Sequence, residues 1–171
     1  MGHHPVTHRL HDRALAGGAL LDLGVYPVSF SHDLFGAPDR VSAIGALTAT
    51  GVDGQVSMAL GFGARQASLH TTLEANTATT AVVFGTHGRI DVEGRFYAPT
   101  RFTVVRDDGT RWTYDGIVDG GMQYEAAEVA RCVAAGLSES PLMSWQGTLE
   151  VMRTMDEVRR QIGLTYPSEG G

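Results

Sequence analysis

Hydrophobic and polar positions along this chain follow two different periods, and the changes between them mark its segments. Val56, Met58, Leu60 and Phe62 alternate with Ser57, Ala59 and Gly61, the period-two pattern of a strand with one buried face. Ala67, Leu69, Thr71 and Leu73 then alternate with Ser68, His70 and Thr72, and the break at Gly63-Ala64-Arg65 is short enough for a hairpin. Further β-branched or aromatic runs at 41–50, 77–84, 89–92, 101–106 and 110–114 are separated by turn residues such as Asp107-Asp108-Gly109. The pattern predicts an antiparallel meander of about seven strands, some of them short.

Helical spacing appears on both sides of this region. Pro27 stands where a helix starts at no cost in hydrogen bonds, and Gly36 with Pro38 supplies a stop, so a short helix is predicted from Pro27 to Phe35. Ala126, Val129, Ala130 and Val133 fall at helical spacing, with Gly136 as a left-handed stop. In a last helix Val151, Met155, Val158 and Ile162 form the apolar stripe, Ser144 is the N-cap and Gly163 ends the segment. The fold class is therefore α+β: a largely antiparallel open-faced sheet of about six or seven strands with helices on one face. The other face, with Ser57, Ala59, Gly61, Ser68, His70 and Thr72, is flat and small rather than strongly charged. Such a face is available for dimerisation, or is simply solvated.

At 171 residues the chain fits one domain with a single core, and no disulfide or metal staple is required. A formal net charge of -6 with dispersed basic residues argues against a nucleic-acid or anionic-membrane surface. A lone cysteine, Cys132, forms no internal disulfide, and no apolar run approaches the ~20 residues that span a bilayer. With no charged-then-apolar leader, a cytoplasmic location is expected. Residues 1–4 read as a possible tag remnant, 5–167 as the folded domain and 168–171 as a flexible tail.

The segment Ala16-Gly17-Gly18-Ala19-Leu20-Leu21-Asp22-Leu23-Gly24-Val25-Tyr26-Pro27 sets a carboxylate and a phenol four residues apart in a glycine-punctuated apolar stretch. If its backbone is helical, Asp22 and Tyr26 project from one side and meet one substrate. A tyrosine phenol, with a pKa near ~10, serves as acid or base only where a cation or desolvation alters its titration, and the carboxylate would orient a hydroxyl. The alternative is structural, with the tyrosine filling the core and the aspartate capping a helix. All thirteen basic side chains are arginines, so this chain supplies no lysine.

This segment resembles the G-G-x-L-x-D-x-G-x-[HY] signature that opens the C-terminal domain of the glucose–fructose oxidoreductase, inositol dehydrogenase and MocA (Gfo/Idh/MocA) family. Gly85-Thr86-His87-Gly88-Arg89-Ile90 resembles the family's G-T-x-G-x-[IL] strand, and Tyr124-Glu125 with Glu139-Ser140-Pro141-Leu142-Met143 its closing helices. The likeness covers almost the whole chain. Tyrosine at position 26 is more similar to the dimeric dihydrodiol dehydrogenase and NADP-dependent xylose dehydrogenase branch than to the inositol dehydrogenase branch, which carries histidine there. The resemblance implies that Tyr26 is the acid/base and Asp22 its substrate-orienting neighbour. It also implies that the catalytic lysine and the NAD or NADP site belong to an N-terminal dinucleotide-binding domain missing here.

Other residues offer weaker chemistry. Gly61-Phe62-Gly63-Ala64-Arg65-Gln66 lacks a third glycine and runs into a strand, so no cofactor-binding residue is assigned. His4, His8 and His11 have helical spacing, but Pro5 undermines a metal platform and no metal ligand is assigned. His32 and His70 read as surface or interface residues, Glu125 and Glu128 as a solvated helix face, and Cys132 as a buried thiol without a basic partner. Trp112 and Tyr114 read as sheet packing. The expected function is the substrate-binding and oligomerisation half of an NAD(P)-dependent oxidoreductase acting on a sugar, polyol or cyclic diol, not competent alone and forming a homodimer or higher homo-oligomer. The alternative is a stand-alone, non-catalytic sheet-dimer scaffold or sugar-binding module.

Overall fold

The structure of the protein, a computed structural model, describes residues 7–169; the segment 1–4 read as a tag remnant lies outside them. The described residues form helices α1 (Val25–Phe35), α2 (Met122–Ala134) and α3 (Trp145–Ile162). They also form strands β1 (Arg40–Leu47), β2 (Asp53–Phe62), β3 (Arg65–Thr72), β4 (Ala81–Gly85), β5 (Gly88–Val92), β6 (Arg101–Arg106) and β7 (Arg111–Asp115). The α+β class holds, with every sheet pairing antiparallel. The seven strands make two sheets rather than one, ordered β1-β2-β3 and β4-β5-β6-β7. A period-two pattern reports an extended segment with one buried face and says nothing about which neighbour it bonds. The chain divides accordingly into two compact units, the second spanning Thr77–Leu142.

In the first unit the apolar positions of β2 do what their alternation requires. Val56, Met58, Leu60 and Phe62 are buried, and Val56 and Met58 join Leu20, Val28 and the α3 residues Val151, Met155 and Val158 in one core cluster. Ser144 caps α3 by accepting the Gly147 N–H at 3.1 Å, and Gly163 closes it in the left-handed region. Gln161 ties α3 to the sheet, accepting the Ala43 N–H at 2.7 Å and donating to the Val41 carbonyl at 2.8 Å. Helix formation begins earlier than Pro27: a π-helical turn over Leu20–Gly24 runs directly into α1. Proline has no N–H for the carbonyl four residues back and crowds it, and a wider turn upstream relieves that crowding.

Within the 23-residue stretch Arg13–Phe35 an 18-residue window reaches a mean hydropathy of 1.3, so by length and composition a membrane-spanning candidate exists where none was expected. Its apolar side chains have a simpler use, since Ala19, Leu20 and Val28 are fully buried in the core of the first unit. Residues 168 and 169, expected as part of a flexible tail, belong to a 3-10 turn over Pro167–Glu169 whose Glu169 carboxylate pairs with Arg159.

The second unit is built on two tight connections, β4–β5 through Thr86-His87 and β6–β7 through the Asp107–Thr110 turn. Phe102, Trp112 and Tyr114 share one face, their ring centroids 5.2–6.3 Å apart, the sheet packing expected of the last two. The α2 stripe departs from expectation: Val129 and Val133 are 62% and 70% exposed. Among the described buried hydrophobic residues, Cys132 alone belongs to this unit.

Candidate functional site

The segment carrying Asp22 and Tyr26 is approached through a tightly wound lead. Two 3-10 turns, Arg9–His11 and Arg13–Leu15, are each started by a side chain: His8 Nδ1 accepts the Leu10 N–H at 3.3 Å and Asp12 Oδ1 the Ala14 N–H at 2.8 Å. The chain then folds back so closely that a Cβ on Gly17 would stand 2.7–2.8 Å from three carbonyl oxygens. Gly18 follows at φ +126°, a conformation that an L side chain rarely adopts. Helical backbone starts directly after it.

That start has no side-chain cap of its own, because Ala19 stands at the N-cap. Asp53, from the first position of β2, serves instead: its Oδ2 accepts the Leu20 N–H at 2.6 Å. In an uninterrupted strand Asp53 would share the exposed face of Gln55 and Ser57. The β1–β2 register shifts beyond Ala46, leaving Gly54 unmatched, and this bulge turns Asp53 inward to full burial. Burial pushes its carboxyl up to about 6, against the lowering effect of the Leu20 and Ala19 amides and of Arg159. Its Oδ1 is buried without a hydrogen-bond partner.

Tyr166 closes the same region from the C-terminal side, donating from its hydroxyl to the Gly17 carbonyl at 2.9 Å. Burial first, and the Asp53 charge second, push this phenol up to about 12. The Arg159 guanidinium stacks over its ring at 4.7 Å, and Arg13 donates to the Thr165 carbonyl and hydroxyl at 2.6 and 2.7 Å.

Asp22 and Tyr26 lie one turn apart on the continuous helical stretch, as the reading of their spacing required. Asp22 is partly buried and Tyr26 is 40% exposed. Arg9 donates to Asp22 Oδ1 at 2.6 Å, so a guanidinium rather than a lysine stands beside the carboxylate.

Several other candidates are placed elsewhere. His32 is half-buried where α1 meets α3, with Nε2 3.0 Å from Thr154 Oγ1, and burial pulls it below its usual range against the charge of Glu150. Glu128 is not merely a solvated side chain: Arg131, then Ser140 at 2.6 Å, hold it down at about 2. Cys132 is buried as expected, but it has the basic neighbour the sequence reading denied it, Arg131 at 3.6 Å from Sγ. Gly61-Phe62-Gly63-Ala64-Arg65-Gln66 spans the β2–β3 hairpin, with no helix after it. On the outer face of β1–β3, Ser57, Ala59, Ser68 and His70 are exposed around a shallow depression that includes Ile44, whereas Thr72 is buried.

Sequence reasoning missed Arg9 and Asp53. The available signal for Asp53 was an acidic residue three positions before the alternating run that starts at Val56, beside a glycine able to bulge.

Residues 2–91 match a family model described as the GFO/IDH/MocA C-terminal domain. Trans-1,2-dihydrobenzene-1,2-diol dehydrogenase of Xenopus tropicalis is 38% identical over 171 residues, covering 93% of this chain and 51% of that protein. The Homo sapiens enzyme of the same name is 33% identical, covering 94% and 51%. The chain therefore spans about half the length of these relatives. Among solved structures, an aldose-aldose oxidoreductase from Caulobacter crescentus complexed with glycerol superposes with a TM-score of 0.77 at 19% identity, over 92% of this chain and 49% of that one. A UDP-N-acetylglucosamine 3-dehydrogenase from Acidithiobacillus ferrooxidans gives 0.74 at 16% identity, over 88% and 49%.

Proposed function

This chain belongs to the GFO/IDH/MocA family as a C-terminal domain, and from that premise we propose that it is the substrate-side half of an NAD(P)-dependent oxidoreductase acting on a sugar, polyol or cyclic diol. The observation that carries the proposal is the helical stretch that sets Asp22 and Tyr26 one turn apart, with the phenol accessible and the carboxylate held by Arg9. In this reading Tyr26 exchanges a proton with the substrate hydroxyl. Asp22 fixes that hydroxyl by accepting from it through the oxygen not engaged by Arg9. The similarity to diol dehydrogenases supports a vicinal diol or sugar as the substrate class.

A nicotinamide dinucleotide does not fit the residues described here. Its phosphates call for a glycine turn between a strand and a helix, and the nearest glycine pattern is a β-hairpin. Cofactor binding and the cation that polarises the substrate oxygen are assigned to the other half of the enzyme.

The test is to express this chain joined to the coding sequence that precedes it in its genome and to follow NAD⁺ or NADP⁺ reduction with trans-1,2-dihydrobenzene-1,2-diol and a panel of pentoses and polyols. Substrate-dependent reduction is expected from the joined protein and none from the chain alone. No turnover with any member of the panel would favour the second reading, a non-catalytic sheet-dimer scaffold, which the existing Arg9–Asp22 pair also suits.

Homodimerisation is part of the proposal, through the exposed face of β1–β3. Ile44, 80% exposed on the edge strand β1, is the apolar anchor. Ile44→Arg is expected to convert a dimer to a monomer in sedimentation, and an unchanged sedimentation coefficient would move the interface elsewhere.

A further inference from the structure

We infer that Asp53 is a positioning residue for the site: its buried carboxylate, turned inward by the β2 bulge, holds the first amide of the helical stretch that carries Asp22 and Tyr26. The functional weight of this inference rests on the role proposed for those two residues. The geometry does not.

Three observations converge on it. The segment has no cap of its own, Ala19 and Leu20 are fully buried, and Asp53 Oδ2 meets the Leu20 N–H at 2.6 Å. Gly18 has no side chain for a reason that points the same way, since a Cβ there would stand 1.9 Å from Asp53 Oδ1. The carboxylate also faces the positive end of the helical segment, where a negative charge is favoured. A carboxylate that only filled space would be replaced more cheaply by an apolar side chain, because burying it without full hydrogen bonding is costly.

The cap is consequently sensitive to charge. The titratable groups that interact with Asp53 are Arg159 from α3 and Tyr166 from the C-terminal segment, and Tyr166 in turn feels Arg159, Glu169 and, from the lead, Arg13. Arg159 is engaged by Asp156 and Glu169 and makes no hydrogen bond to Asp53. Burial keeps the Asp53 proton on to about pH 6, above the ordinary value of 3.8. The folded state thus holds a proton that the unfolded chain has released, and the stability this proton contributes is present below 3.8 and lost as pH rises through about 6. The hydrogen bond to Leu20 changes the other way, strengthening as the carboxyl ionises. Raising the pH tightens the cap while the fold as a whole becomes less stable.

The test is a two-dimensional NMR titration of the chain from about pH 4.5 to 7.5, following the Leu20 amide and the Tyr26 ring, with the Asp53 carboxyl carbon as reference. All three are expected to move with one midpoint near 6. Asp53→Asn is expected to abolish the movement of both the amide and the ring. His32, on α1 with Tyr26, has its own lowered titration, so the measurement is repeated in His32→Gln, where the Tyr26 movement is expected to persist. A flat Leu20 amide overturns the inference, and so does a Leu20 shift that leaves Tyr26 still in His32→Gln. Should the asparagine variant not fold, the native and His32→Gln titrations decide between the same outcomes. None of these readouts depends on turnover, so absence of dehydrogenase activity leaves them intact.

Discussion

On the acid/base role proposed for it, Tyr26→Phe in the joined protein is expected to lower kcat by about 10²–10⁴-fold, the usual contribution of a positioned acid or base. The substitution removes one oxygen from a side chain that is 40% exposed, so the fold should tolerate it. KM should change little, because in the proposed role the phenol acts in the proton transfer rather than in holding the substrate. Asp22→Asn should behave differently. It keeps an acceptor for the hydroxyl but weakens the Arg9 pair at 2.6 Å, so KM should rise along with a fall in kcat. Steady-state kinetics at saturating dinucleotide separate the two cases. A Tyr26→Phe enzyme with native kcat would assign the proton transfer to another group and leave the phenol as packing.

Gly18→Ala should unfold the first unit or destabilise it by about 3–5 kcal/mol, at the high end for a single substitution. Two costs add at this position. The new Cβ would stand 1.9 Å from the Asp53 Oδ1 and 2.9 Å from its Cγ, and a φ of +126° is strained for any side chain. Backbone strain of this kind costs on the order of 1–3 kcal/mol alone. The two are separable by a cycle: Gly18→Ala combined with Asp53→Ala removes the collision but keeps the strain, so the double variant should be less destabilised than the sum of the singles. Gly36→Ala supplies the control, since φ is +79° there and a Cβ meets nothing within 4 Å. Urea unfolding of the four variants measures the whole series, and strict additivity of Gly18 and Asp53 would show that they do not collide.

The parts of the fold readable from the sequence were those set by local chemistry. Val56, Met58, Leu60 and Phe62 announced a strand because their alternation matches the pleat, and Ser144 and Gly163 marked the ends of α3 because caps depend on adjacent amides and carbonyls. Features set by contacts distant in sequence were not readable. The division into two sheets depends on which strand edges bond, and the π turn before α1 on how Pro27 is accommodated in three dimensions. The α2 stripe shows the same limit, since Val129 and Val133 have helical spacing whether or not anything covers them. At the site, Asp22 and Tyr26 were legible because four residues on a helix is a local relation. Asp53 was not, because period-two logic places it on the solvent side and only the bulge at Gly54 reverses that.

The first unit is discontinuous: its chain departs after Asn76 and resumes at Met143, with 77–142 forming the second unit in between. This imposes an order on the nascent protein. Three strands with an apolar face covered only in part, by Leu20 and Val28, leave the ribosome well before Val151, Met155 and Val158, which complete the core. At 5–20 residues per second the intervening segment takes roughly 3–13 s to synthesise. Throughout that interval Val56 and Met58 lack the α3 side chains of their core cluster, and the second unit, contiguous in sequence, is complete first. Translation speed through 77–142 therefore sets how long a sticky intermediate must be kept from its neighbours.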